Sequence, residues 1–239
     1  MIKVVFLDLG NTLVTGGGGD RIVFEKSLTK LVELARLRGY EVDSEMLRAR
    51  FVEQRDLHDE LREKFLIEIH MKSWLGQLLS SACGRKIDEE LLKCAMQALV
   101  EARTRHATFY REVPSALQEL KKLNYRLAVI SNTSSEEVIH RVLGKLQLNA
   151  FFELVLTSAE FGVRKPYPGI FLFALKKLRV SPSESVFVGD SLKHDILGAK
   201  SIGMRTVLLD RKGRGAGEEI FDPTITSLEE LGRVLKTIQ

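Results

Sequence analysis

The residues of this chain that can do chemistry stand at the ends of apolar runs. Asp8 closes Val4-Val5-Phe6-Leu7, and a tight turn, Leu9-Gly10-Asn11-Thr12, follows it. Ser131-Asn132-Thr133 closes Leu127-Ala128-Val129-Ile130. Lys165-Pro166 lies shortly after Leu154-Val155-Leu156, and Gly189-Asp190-Ser191, with Asp195 beyond it, closes Val186-Phe187-Val188. A carboxylate at the carboxyl end of a buried strand sits where open α/β sheets bind ligands. Chemistry that begins with such an Asp usually wants a second acid two residues on. That position is Gly10, which has no side chain.

Converging these four stops takes a parallel sheet, and the sequence pattern supplies one. Strands are predicted over 3–8, 126–130, 152–156, 185–188 and 205–209. All are apolar without period-two polarity, as expected of a parallel sheet covered on both faces. Helices are predicted over 114–123, 134–146, 168–178, 193–201 and 227–237, alternating with those strands. Right-handed crossovers then bring every strand's carboxyl end to one edge. Between the first strand and the rest lies a different pattern. From Asp20 to about Thr108 apolar residues recur at helical spacing, with helices predicted over 44–57, 60–80 and 88–106. The expected class is therefore α/β: a Rossmann-like core, residues 1–15 and 109–239, carrying an all-helical insertion, residues 16–108. The run Gly16-Gly17-Gly18-Gly19 at its start reads as a hinge.

The order and spacing of the stops resemble the haloacid dehalogenase superfamily of hydrolases over essentially the whole chain. Asp8-Leu9-Gly10-Asn11-Thr12 resembles its first motif, Asp-x-Asp-x-Thr. Ser131 matches the second motif, Lys165 the third, and Asp190 with Asp195 the fourth. The helical insertion resembles the cap that one subgroup carries between the first two motifs. The resemblance implies a Mg²⁺-dependent phosphohydrolase acting on a small phosphorylated metabolite. In that reading Asp8 attacks phosphorus and forms an aspartyl-phosphate. Lys165 supplies a fixed cation, Ser131 a hydroxyl donor, and backbone N–H groups near Asn11 and Asn132 further phosphate contacts. The implied Mg²⁺ ligands are Asp8, Asp190 and the Gly10 backbone carbonyl, with Asp195 a ligand or an anchor behind the ligands.

Gly10 departs from the motif. The family's second Asp protonates the leaving oxygen and later activates water, help worth about 10²–10⁴ in rate. Its absence predicts slow hydrolysis of ordinary alcohol esters. His194, His58, His70 and His106 are available as substitutes, each reading more simply as a surface or packing residue, and Arg164 reads as solvated. Two alternatives stay open. One is a catalytically impaired relative that binds Mg²⁺ and a phosphorylated ligand in a regulatory role. The other is a phosphonatase-like C–P hydrolase, which would need an insertion lysine such as Lys26 or Lys30. Dehalogenation fits less well, because its metal-free chemistry has no use for the Asp190–Asp195 pair.

Composition bounds the partners. The 239 residues are 44% hydrophobic and 28% charged, an ordinary globular balance. A net charge of +4, spread among interspersed acids, predicts attraction of small anions rather than nucleic acid. No segment reads as a signal peptide or membrane span. Cys83 and Cys94 read as free thiols of a reducing compartment, so a cytoplasmic location without membrane partners is expected.

Overall fold

A computed structural model describes residues 1–16, 20–213 and 223–238. Gly17–Gly19, most of the predicted hinge, lie outside the described residues. The first strand, β1 (Val4–Leu7), is four apolar residues with no exposed surface. Burying side chains of this kind contributes about 1.5–3 kcal/mol each. The strands that follow are β2 (Val14–Thr15), β3 (Thr108–Phe109), β4 (Arg126–Ser131), β5 (Leu154–Thr157), β6 (Ser185–Gly189), β7 (Arg205–Leu209) and β8 (Thr224–Ile225). Six of them form one parallel sheet in the order β5-β4-β1-β6-β7-β8. β1 is central, flanked in register by β4 and β6, so Asp8, Ser131 and Asp190 leave the same edge side by side.

The helices are α1 (Asp20–Leu37), α2 (Ser44–Phe65), α3 (Met71–Ala82), α4 (Glu89–His106), α5 (Val113–Lys122), α6 (Glu136–Lys145), α7 (Ser158–Phe161), α8 (Pro168–Leu178), α9 (Gly198–Lys200) and α10 (Leu231–Thr237). α8 packs Ile170, Phe171, Ala174 and Leu175 beneath one sheet face, against Phe6 and Phe187. The opposite face carries α5, whose buried Val113, Ala116, Leu117 and Leu120 share one apolar cluster with the insertion. Within the insertion α1 packs on α4 and α2 on α3. Its centre is Phe24 stacked on Phe51 at 3.8 Å between centroids, with Trp74 beside them. The two connections between insertion and sheet pair with each other as the β2–β3 ribbon. Among the described residues no helix is long and apolar enough to cross a membrane.

The sequence misplaces one break and smooths over one irregular turn. The predicted gap between 57 and 60 does not exist: α2 runs from its Asp43 cap through Phe65. The interruption comes at Leu66–His70, inside the helix predicted over 60–80. There Leu66 takes a left-handed φ of 55°, its carbonyl accepts from the Arg164 N–H at 2.7 Å, and the Glu68 N–H donates to Gly162 O at 2.9 Å. Tertiary partners from the sheet edge stop the helix, so no local signal marks the place. The helix predicted over 193–201 is a π-helical turn, Leu192–Leu197, continued by α9. Its wide winding, with the Ile196 N–H on Ser191 O, lets Asp195 fold back toward β6.

Candidate active site

Asp8 extends β1 by one ladder bond, its N–H donating to Val188 O at 2.9 Å, and then the chain turns. The turn is closed by Leu13 and Val14 N–H groups on Leu9 O and by the Asn11 N–H on Val14 O at 2.8 Å. Asn11 takes the positive φ, 57°, which Asn tolerates better than most residues. Gly10 does not have a positive φ, and a Cβ built on it would meet nothing within 4 Å. Neither backbone strain nor crowding requires a glycine there. Arg211 fastens this turn from outside. Its Nε and Nη2 donate to Asn11 O (3.1 Å) and Thr12 O (2.7 Å), Nη1 pairs with Glu112, and the guanidinium lies 3.6 Å over the Tyr110 ring.

Lys165 is the hub of the site. Its Nζ donates to Asp8 Oδ1 at 2.7 Å and to Asp195 Oδ1 at 2.6 Å, with 2% of the residue exposed. Its backbone is held by the Asn132 amide: the Lys165 N–H donates to Oδ1 at 2.8 Å, and Nδ2 donates to Lys165 O at 3.0 Å. Asp195 spends its second oxygen on the Ser191 N–H at 3.0 Å. Gly189 is needed beneath this carboxylate, because any Cβ there would collide with it.

Eleven residues line a cleft of about 260 Å³, among them Asp8, Gly10, Asn11, Ser131, Asn132, Lys165, Asp190 and Asp195. Every sequence-predicted site residue is thus brought together. One detail changes: the Asn11 N–H is spent inside its own turn, and the Asn11 side chain bonds Asp190. Of the four histidines considered, His194 is the one that lines the cleft. A larger groove of about 670 Å³ lies at Arg36 and Gly39–Asp43 on the insertion and holds none of the strand-end residues.

The electrostatics favour a divalent cation. Carboxylate oxygens of Asp8, Asp190 and Asp195 all lie within 4.8 Å of one another. Burial pushes the Asp8 carboxyl up to about 7, with Lys165 opposing and Asp195 and Asp190 adding to it. Asp190 is raised by burial and by Asp195. Burial works against the Lys165 charge, but Asp195 and Asp8 outweigh it and the ammonium is held more firmly. Three acids around one lysine leave negative charge to be matched. Hard oxygen donors of this kind suit Mg²⁺.

The insertion supplies contacts at the cleft rim that the sequence reading missed. In the last turn of α2, Glu63 pairs with Lys193 and lies 3.3 Å from His194 Nε2. Glu68, whose side chain is wholly buried, takes the Ser158 hydroxyl at 2.6 Å and pairs with Arg164, a cleft residue. Arg164 is therefore engaged rather than solvated. The one available signal was a lone acid within Phe65-Leu66-Ile67-Glu68-Ile69.

Comparison with known proteins agrees with this geometry. The haloacid dehalogenase-like hydrolase family matches residues 2–203. A glyceraldehyde 3-phosphate phosphatase of Pyrococcus furiosus is 34% identical, covering 98% of this chain and 93% of its own. A phosphoglycolate phosphatase of Aquifex aeolicus is 27% identical over 87% of this chain and 84% of its own. Among solved structures, a HAD phosphatase from Thermococcus onnurineus superposes with a TM-score of 0.69 at 25% identity, covering 98% of both chains. A 2-haloacid dehalogenase from Pseudomonas syringae pv. Tomato DC3000 shares the fold, with a TM-score of 0.76 at 24% identity over 100% of both chains. A central Asp8 bound to a buried lysine at a parallel sheet's edge, matched along its length by that family, makes this chain a member of the haloacid dehalogenase-like hydrolases.

Proposed function

We propose that the chain is a Mg²⁺-dependent phosphohydrolase of small phosphorylated metabolites, working through Asp8 in the cytoplasm. The carrying observation is the Asp8 carboxylate at the sheet edge, 2.7 Å from a buried lysine and beside two further acids. Asp8, Asp190 and the Gly10 carbonyl would hold the metal, with Asp195 anchoring Lys165. When bound, Mg²⁺ neutralises phosphate charge and orients it for in-line attack. An Asp8 carboxylate oxygen attacks phosphorus, and the bond from phosphorus to the substrate oxygen breaks. Lys165 offsets charge on the transferring group, and the Ser131 hydroxyl donates to it. Water then attacks the same phosphorus, regenerating the carboxylate and releasing phosphate. Because position 10 carries no acid, the leaving oxygen draws its proton from solvent. We propose that residues 16–108 act as a cap that excludes bulk water and selects the substrate. The small cleft and the names of the relatives favour a short phosphate ester of the glyceraldehyde 3-phosphate kind.

The test is phosphate release from glyceraldehyde 3-phosphate and p-nitrophenyl phosphate, with Mg²⁺ and with chelator. Activity confined to the Mg²⁺ arm, and lost in Asp8→Asn, is expected. Equal activity in chelator, or a fully active Asp8→Asn, overturns the reading. Gly10 keeps the regulatory binding protein as a second reading, which predicts ligand binding with no release in either arm. Lys26 and Lys30, on which the phosphonatase reading would call, line a separate groove between α1 and α4, and Lys30 pairs with Glu33.

A further inference from the structure

Arg164 sits beside Lys165 in the chain and lines the same cleft, yet its circumstances are opposite. Lys165 is held between two carboxylates. Among the described residues the Arg164 side chain has one partner, Glu68, and it keeps 20% of its side-chain surface exposed. A guanidinium presents five donors in a rigid fork, so donors remain for a ligand. The fork is fixed from both ends. Its backbone N–H donates to Leu66 O at 2.7 Å, and its carbonyl accepts from Tyr167 N at 2.8 Å. Glu68 cannot swing, since the Ser158 hydroxyl, the Ile69 N–H (3.0 Å) and Arg62 (3.4 Å) also hold it. Arg62, which holds the same carboxylate, also pairs with Asp59, so Arg164 belongs to an ion-paired cluster at the rim above an acidic floor.

We propose that Arg164 binds the far end of the substrate, selecting three-carbon phosphates whose terminal carbon bears two oxygens, as a carboxylate or a hydrated aldehyde. A planar fork pairs best with two oxygens on one atom, and a lysine cannot imitate it. Glu68 is the positioning residue that aims it, and it reaches the site from the insertion. This inference rests on the phosphohydrolase reading for its substrate but not for its test.

The test compares glyceraldehyde 3-phosphate, 3-phosphoglycerate and glycerol 3-phosphate, which differ only at the carbon far from phosphate. With Mg²⁺ present, phosphate release gives kcat and KM. Calorimetry on Asp8→Asn, alone and combined with the Arg164 variants, gives affinity without turnover. The wild type is expected to prefer the aldehyde or the acid over the alcohol by about tenfold or more, the scale of a charge-assisted hydrogen bond. Whichever it prefers identifies the terminal group. Arg164→Gln should bring that ratio toward one, mainly through KM, with no rescue by Arg164→Lys and a partial loss in Glu68→Gln. If Arg164→Gln fails to fold because it strands Glu68, the double variant Arg164→Gln/Glu68→Gln removes both charges and gives the same ratio. A wild type without preference, or variants that keep the ratio or lower all three substrates equally, overturn the assignment. Calorimetric preference without any turnover overturns the hydrolase reading and leaves Arg164 in place.

Discussion

The floor and the rim of the cleft are built from the same charged residue types under opposite conditions. On the floor Lys165 is 2% exposed and lies within 2.7 Å of both Asp8 and Asp195. On the rim Lys193 and Glu63 are each more than half exposed. An exposed pair contributes about 0–1 kcal/mol, whereas breaking a buried one costs about 3–5 kcal/mol because it strands a charge. The floor is therefore one rigid unit, and the contact of α2 with the loop after β6 can part cheaply. Arg164 stands between these regimes, buried on its Glu68 side and open on the cleft side.

The comparison breaks most visibly at Lys165. Lys165→Met should lower unfolding free energy by about 3–5 kcal/mol in urea denaturation without Mg²⁺, because two buried carboxylates lose their cation. A loss as small as that of a surface lysine would mean that the floor is wet. Next in size is Gly10→Asp, which restores an acid where nothing obstructs a Cβ. Turnover of glycerol 3-phosphate should rise about 10²-fold or more, the scale of acid–base help, and that of p-nitrophenyl phosphate by less, since only hydrolysis of its phosphoenzyme gains from the acid. An equal rise for both would show that proton transfer to the leaving group is not what Gly10 withholds. Arg211→Met removes the clamp on the Asp8 turn and should cost about 1–3 kcal/mol of stability. It should lower kcat with little change in KM, since Arg211 holds the loop rather than the substrate. The smallest effect belongs to the rim: Lys193→Met should change stability by no more than about 1 kcal/mol.

The sheet and its edge were legible from the sequence, and the rim was not, for a physical reason. Val4–Leu7, Leu127–Ile130 and Val186–Val188 are buried on both faces, so continuous apolar runs reveal them, and a polar residue ending such a run marks the edge. That logic brought Asp8, Ser131, Lys165 and Asp190 together correctly. It could not find the end of α2, which is set by hydrogen bonds to Gly162 and Arg164 nearly a hundred residues away. Nor could it find the Arg211 clamp, formed by a side chain 200 residues from Asn11. The short β2, β3 and β8 strands were missed because two residues carry no period. Gly10 was legible as a missing acid, but only the structure adds that its site has room for one.

In the proposed reaction Asp8 takes the phosphoryl group and Gly10 slows its release. Acid quenching during turnover of p-nitrophenyl phosphate, followed by peptide mass spectrometry, tests it directly. A phosphoryl adduct on the Asp8 peptide is expected, more abundant in the wild type than in Gly10→Asp and absent from Asp8→Asn. Turnover with no adduct on Asp8, or an adduct on another residue, would contradict it.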